Sequence, residues 1–325
     1  MYNCKAIKAI FVVLLVCFVT AEYNEERAQD YMYVSALVYC PPVNLTANQC
    51  GAATISTNKR GFVYLYSYDN QNSKNPIYMS IFERNEEKEI VVAFSGTITT
   101  KQLINEFANS LPVAYDIHNV TDALVFEYFY KHYSETFRQG MLGDLQTILN
   151  KFRYRNYKII FTGHSLGGAL AMHAIADAIQ EGLLVNNKAE LWTFGQPRVG
   201  NQEFLDAFVS EIDQYYRVVN NKDIVAHVPP CITDLKGGCL KKGLFPIFPY
   251  HAPTEVFYTN NMTDHVVCSH EEGEDQECSR KLNNISVDDH KFYWGVEIGN
   301  YFTYEEEIEV NENRKAGDVI EFTSE

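Results

Sequence analysis

Residues 157–171 read YKIIFTGHSLGGALA, and Gly163-His164-Ser165-Leu166-Gly167 within them fits G-x-S-x-G. A serine hydroxyl is a weak nucleophile until a neighbouring base takes its proton. It can then attack a carbonyl carbon and form a covalent acyl intermediate. The glycines have a mechanical reason. A strand that turns into a helix this sharply strains the serine backbone, and side chains two positions to either side would meet the turn. The turn lifts the Ser165 oxygen above the carboxyl end of the strand, and the following helix aims its amide-rich N-terminus at the same place. His164 is a poor base for Ser165. Neighbours in an extended segment point to opposite faces, whereas a base must approach the hydroxyl to about 3 Å. His164 is therefore expected to be a structural hydrogen-bonding residue beside the turn.

A negative charge develops on the carbonyl oxygen during attack, and two donors should meet it. The backbone N–H of Leu166 is one. The other is expected after an early strand, and EIVVAFSGTITT (89–100) places Ser95-Gly96-Thr97 there, with Thr97 offering an amide and a hydroxyl. A plain polar turn is the alternative reading of SGT. The acid should follow a later strand, and the base should follow the acid. In YYRVVNNKDIVAHVPP (215–230), Asp223 comes directly after an apolar strand. Asp177 and Asp206 fall on helices, Asp234 falls inside a cysteine loop, and a turn aspartate remains the alternative for Asp223. Five histidines follow it. His227 is too close along the chain, and His265 and His270 lie in a polar stretch beside a sequon and a cysteine pair. His290, in SVDDHKFYWG, is only modestly favoured over His251 by spacing.

These groups need a scaffold that presents loops at one edge. Residues 23–39 have helical periodicity, and 61–68 alternate as a strand. Segments 77–82 and 90–94 flank a polar NEEKE and read as a hairpin. A long helix is expected over 123–152, bent near Gly140–Gly143. Strand 157–162, helix 168–181, strand 191–194, short helix 201–209 and strand 215–220 follow. This alternation is the pattern of an α/β fold, with a mostly parallel central sheet and helices on both faces.

The chain has 325 residues, enough for one large, well-buried domain, and its formal charge is −15. That balance excludes the basic face of a nucleic-acid binder and leaves apolar rather than electrostatic contact with lipid. Residues 1–21 read as a secretory signal peptide, with Lys5 and Lys8, an apolar run from Ala9 to Val19 and small residues before Glu22. The run is too short to span a bilayer comfortably, and no later one approaches that length, so no transmembrane span is expected after its removal. Cys4 and Cys17 leave with it. Six cysteines remain: Cys40, Cys50, Cys231, Cys239, Cys268 and Cys278. In a secreted chain they imply disulfides, and neighbour pairing is expected among the 15 arrangements. A zinc site is the weaker reading, because no C-x-x-C or H-x-x-x-H cluster occurs. Sequons begin at Asn44, Asn119, Asn261 and Asn284, all suited to glycosylated surface loops. Residues 22–303 are read as the single domain, and 304–325 as an acidic, solvated extension.

Five blocks in order, VVAFSGT, IIFTGHSLGGALA, FGQPRVGN, VVNNKDIVAHVPP and VDDHKFYWG, make residues 60–300 resemble the class 3 (fungal-type) triacylglycerol lipases of the α/β-hydrolase fold. The resemblance implies Ser165 as nucleophile, Asp223 as acid, His290 as base, and Thr97 and Leu166 as oxyanion donors. It makes His251 structural, likens Cys268 and Cys278 to a family disulfide, and implies no cofactor or metal. It also places ITTKQLINEFANSLP (98–112) at the family's lid, where Leu103, Ile104 and Phe107 recur at helical spacing with Leu111. Such a face would cover the pocket in water and turn to a lipid interface in transient contact, or else pack permanently as an ordinary amphipathic helix. Departures from the family pattern point to a divergent animal branch. Ser95 stands where many fungal members have arginine, the lid tryptophan is replaced near Gln102–Leu103, and FYKHY (129–133) stands for the VHxGF block. The expected reaction is hydrolysis of acylglycerol esters. Phospholipase A1, phenolic-ester esterase and acyltransferase are the enzymatic rivals, since one fold carries all of them, and an inactive lipid-binding scaffold is the rival from another class. Oligomeric state is not legible.

Overall fold

A computed structural model describes residues 3–9, 12–18, 22–70, 76–97, 110–117, 120–184, 188–242, 248–282 and 285–304. Strands β1 (Asn3–Ala9) and β2 (Val12–Phe18), from the stretch read as a leader, pair antiparallel as a separate hairpin. The main strands follow: β3 (Val63–Asp69), β4 (Tyr78–Arg84) and β5 (Glu89–Phe94). A small hairpin comes next, β6 (Pro112–Ala114) with β7 (Leu124–Phe126). Then come β8 (Lys158–His164), β9 (Ala189–Phe194), β10 (Gln214–Asn220), β11 (Glu255–Thr259) and β12 (Asp264–Val267). Eight of these make one sheet in the order β12-β11-β10-β9-β8-β5-β4-β3. Neighbours from β5 to β11 run parallel, and both outer edges are antiparallel. This is the α/β class read from the sequence.

The central strands are mostly apolar because both faces are covered. In β5, Ile90, Val92 and Phe94 pack into one core, while Val91 and Ala93 pack into the other. The first core lies under helices Glu127–Thr136, Arg138–Leu149 and Leu166–Gln180, and the second under helices Glu25–Leu37 and Gly51–Lys59. Helix Glu25–Leu37 is capped by Asn24, whose side chain accepts from the Arg27 amide at 2.9 Å. Its Arg27 reaches the buried carboxylates Glu89 (3.1 Å) and Glu190 (2.7 Å) near the amino ends of β5 and β9. Those charges are thus partnered where water is excluded. His173, on helix Leu166–Gln180, is fully buried against Tyr133, and burial pushes its imidazole down to about 3, so it is held neutral.

The expected long helix over 123–152 is corrected. Residues 124–126 join β7, and two helices follow with a break at Phe137, not near the glycines. Phe137 is buried edge-on against Phe94, so packing onto the sheet sets the break. Gly140 serves a close approach instead, since a Cβ there would lie 2.5 Å from the Tyr68 ring. Lid candidates Leu103, Ile104 and Phe107 lie outside the described residues, as do Asn119, Asn284 and residues 305–325. Among the described residues no helix is long and apolar enough to cross a membrane. Cys40 is bonded to Cys50, Cys231 to Cys239 and Cys268 to Cys278, the neighbour pairing.

Candidate active site

Ser165 joins β8 to helix Leu166–Gln180 at φ 59°, ψ −129°, the left-handed side of backbone space that a serine occupies only under strain. A Cβ on Gly163 would lie 2.3 Å from the Gly167 carbonyl carbon, and one on Gly167 would lie 2.1 Å from the Phe94 oxygen. The two glycines therefore let the turn close on itself and on the end of β5. Leu166 is the first residue of the helix, so its N–H has no acceptor within the helix. Gly96 brings the second loop in, because a Cβ there would sit 3.0 Å from the Ser165 Cβ. Ser95 anchors that loop: its hydroxyl accepts from the Tyr78 amide at 2.8 Å, and its own amide donates to the Tyr78 carbonyl at 2.8 Å. Thr97 follows, lining a cavity of about 140 Å³ with His290.

The three residues expected to act together meet here. His290 Nε2 lies 2.8 Å from Ser165 Oγ, and His290 Nδ1 lies 2.9 and 3.0 Å from the two Asp223 oxygens. All three are buried. Asp223 also accepts from the Val225 amide (2.8 Å) and the Tyr293 hydroxyl (2.8 Å). Burial alone would raise its pKa. The adjacent His290 and the hydrogen bonds from His290 and Tyr293 outweigh burial and hold the carboxyl below its usual range. An ionised carboxylate on Nδ1 keeps that proton in place, so Nε2 presents a lone pair to the serine.

The short helix Asp288–Lys291 that carries His290 is docked onto the turn that carries Asp223. Asn220 Nδ2 donates to the Asp289 and Phe292 carbonyls (3.0 and 2.8 Å), and the Asp289 carboxylate accepts from Asn221 Nδ2 and the Lys222 amide, each at 3.0 Å. His164 takes the structural place expected of it. Its Nε2–H donates to the His290 carbonyl at 2.8 Å, so Nδ1 accepts from the Tyr39 hydroxyl at 2.9 Å, and its ring stacks on His290 at 4.5 Å. Burial, then the charge His290 would carry, pushes His164 down to about 3, leaving it a neutral brace. His251 is not at the serine. It is buried, with Nε2 at 2.9 Å from the Ala226 carbonyl. Asp177 accepts from Tyr115 and Arg138, and Asp234 accepts from backbone amides in its own turn.

Tyr39, Gly195, Asn220 and Tyr293 were not singled out from sequence. Gly195 has φ 56°, and a Cβ there would stand 2.4 Å from Asp223 Oδ2 and 2.9 Å from His290 Nδ1. A methyl in that position must push the carboxylate and the imidazole apart. Gly195→Ala is expected to fold, with kcat on a dissolved p-nitrophenyl ester lowered about 100-fold, the scale of a displacement near 1 Å. Kinetics alongside thermal melting checks this, and wild-type kcat in a folded variant would refute it.

The chain is similar to known proteins over most of its length. The class 3 lipase profile matches residues 91–233. A lipase of Caenorhabditis elegans is 31% identical over 321 residues, covering 90% of this chain and 88% of that one. The chain belongs to the class 3 lipase family. This lipase is a carboxylic ester hydrolase. It is also 34% identical over 217 residues to a lipase of Rhizomucor miehei, covering 66% of this chain and about half (54%) of that relative. The solved triacylglyceride lipase of Rhizomucor miehei superposes with a TM-score of 0.69 at 26% identity, over 85% of this chain and 96% of the other.

Proposed function

We propose that this lipase is a secreted enzyme that cleaves acylglycerol esters through Ser165, His290 and Asp223. The observation that carries the reading is the unbroken contact from Asp223 through His290 to Ser165 Oγ, ending at 2.8 Å. His290 takes the serine proton as Oγ attacks the ester carbonyl. The Leu166 and Thr97 amides receive the oxyanion, and Asp223 balances the imidazolium. His290 then returns the proton to the departing alcohol, leaving an acyl ester on Ser165. Water, activated by the same imidazole, releases the fatty acid.

Secretion is supported by the leader-like residues 1–21 and by three disulfides. The sequon residue Asn261 is exposed and Asn44 half-exposed, as glycan acceptors would be. A phospholipase A1 reading has one observation in its favour. The cavity beside His290 is lined by Lys291, Glu297 and Asn300, polar groups that suit a charged head group.

The test is a fluorophosphonate probe followed by peptide mapping, run beside hydrolysis of emulsified triglyceride, phosphatidylcholine and a feruloyl ester. One adduct on Ser165 and fastest release from triglyceride are expected. A folded chain that never labels would sink the nucleophile, and phosphatidylcholine as the best substrate would replace the acylglycerol reading by the second one.

A further inference from the structure

Residues 232–237, ITDLKG, are six consecutive exposed positions. Leu235 at their tip is fully exposed (108%), and Ile232 is 38% exposed. A single exposed leucine is ordinarily unremarked. This one is held out by a stapled turn. Cys231 and Cys239 are bonded, the Leu240 amide donates to the Ile232 carbonyl (2.8 Å), and the Asp234 amide donates to the Gly238 carbonyl (2.8 Å). The Asp234 carboxylate accepts from the Lys236 and Gly238 amides at 2.8 and 2.9 Å, and Arg280 donates to the Gly237 carbonyl at 3.2 Å. The backbone of the turn is thus largely fixed before anything binds, which lowers the ordering cost of docking it.

The turn follows the segment that carries Asp223, with Cys231 eight residues (231 − 223) further along the chain that leaves the carboxyl end of β10. Its root is pinned by Arg198, whose amide and Nη1 donate to the Val228 and Pro229 carbonyls at 3.0 and 2.9 Å. Arg198 follows by three residues the Gly195 that abuts Asp223 and His290. Residues 232–242 carry Lys236, Lys241 and Lys242 against one acid, Asp234, in a chain whose overall charge is −15. Lys241 pairs with exposed Glu272 and lies over the Tyr250 ring, and Lys242, itself 68% exposed, pairs with half-buried Glu203; pairs with an exposed partner bind little in water. Lys236 has no ion pair among the described residues.

We propose that the Cys231–Cys239 turn is a lipid-surface anchor: Leu235 and Ile232 enter the acyl boundary while Lys236, Lys241 and Lys242 meet anionic groups at the surface. This rests on the ester-lipid reading above. It adds a fixed contact that orients an otherwise acidic chain toward its substrate phase.

The test uses the full chain and two readouts. Binding is measured in a Ser165→Ala background by co-sedimentation with phosphatidylcholine vesicles containing about one-fifth phosphatidylglycerol. Leu235→Ser is expected to weaken binding about tenfold, the worth of burying one leucine. Lys236→Glu is expected to weaken it at low salt, with the difference fading as salt rises. With Ser165 intact, Leu235→Ser should leave p-nitrophenyl butyrate turnover unchanged and lower emulsion hydrolysis several-fold. Vesicle binding within twofold of the parent in Leu235→Ser, or no vesicle binding by the parent, overturns the anchor. Failure of the parent to hydrolyse any ester overturns the functional reading instead. The vesicle arm needs no turnover and decides the anchor either way.

Discussion

Ser165→Ala and His290→Ala are each expected to lower kcat on a dissolved ester about 10⁶-fold, and the double variant is expected to lose little more. The reason is the single contact between them, Nε2 to Oγ at 2.8 Å. Without the imidazole, the hydroxyl keeps its proton through the attack. Without the hydroxyl, the imidazole has nothing to deprotonate for attack. Each substitution therefore removes the same step. What should survive is the work of the oxyanion donors proposed above, Leu166 and Thr97, and of substrate binding, about 10³–10⁴ over water in enzymes of this kind. Both variants should fold, because neither removes a contact between elements that the brace at His164 and the clamp at Asn220 do not also make. The check is a double-variant cycle with melting curves alongside. Losses that multiply in the double variant would mean that Ser165 and His290 act independently, and the relay would be wrong.

The readable part of the site is the part in which chemistry and backbone impose their demands on the same few residues. Gly163, Ser165 and Gly167 are one such set: the nucleophile needs the turn, and the turn needs both glycines. Asp223 was legible as the acid that follows an apolar strand, because the carboxyl ends of parallel strands share one edge. The choice of His290 over His251 was not decided by spacing. Both histidines lie in segments that pack on the core, and only the three-dimensional pairing separates the one at Ser165 from the one at the Ala226 carbonyl. Tyr39 and Tyr293 were invisible for a related reason. Their partners His164 and Asp223 lie 125 and 70 residues away, and a contact at that range leaves no periodicity in the chain. Gly195 looked like any turn glycine, although its missing side chain is what lets Asp223 and His290 meet. The long helix went astray on the opposite error. Gly140 and Gly143 look like points of bending in the sequence, but Phe137 sets the break and Gly140 makes room for Tyr68. Glycine marks a bend or a close approach equally well, and sequence alone does not say which.

Asp223→Asn is expected to keep the shape of the site and lower kcat about 10⁴-fold with little change in KM. The surroundings of the carboxylate decide how an amide would sit. The Val225 amide donates to Oδ1 at 2.8 Å, so the asparagine oxygen must stay there; the reverse orientation would set two buried donors against each other, a costly arrangement. The amide nitrogen then takes the place of Oδ2, beside the Tyr293 hydroxyl and His290 Nδ1. Tyr293 can turn its proton away and accept. His290 Nδ1 lies between the two atoms, 2.9 Å from Oδ1 and 3.0 Å from the Oδ2 position; a proton kept on Nδ1 would meet the amide N–H there, and moving it to Nε2 lets Nδ1 accept instead. The imidazole then presents N–H to Ser165 Oγ where a lone pair is required, and the loss of the ionised carboxylate removes the charge that balances the imidazolium. Fluorophosphonate labelling depends on the same base and should slow by a similar factor, while melting stays close to that of the parent. A loss of less than tenfold in both measurements would contradict the tautomer argument. It would mean that the contact from His164 to the His290 carbonyl, 2.8 Å, with the Asn220 clamp, is enough to orient the base without a carboxylate behind it.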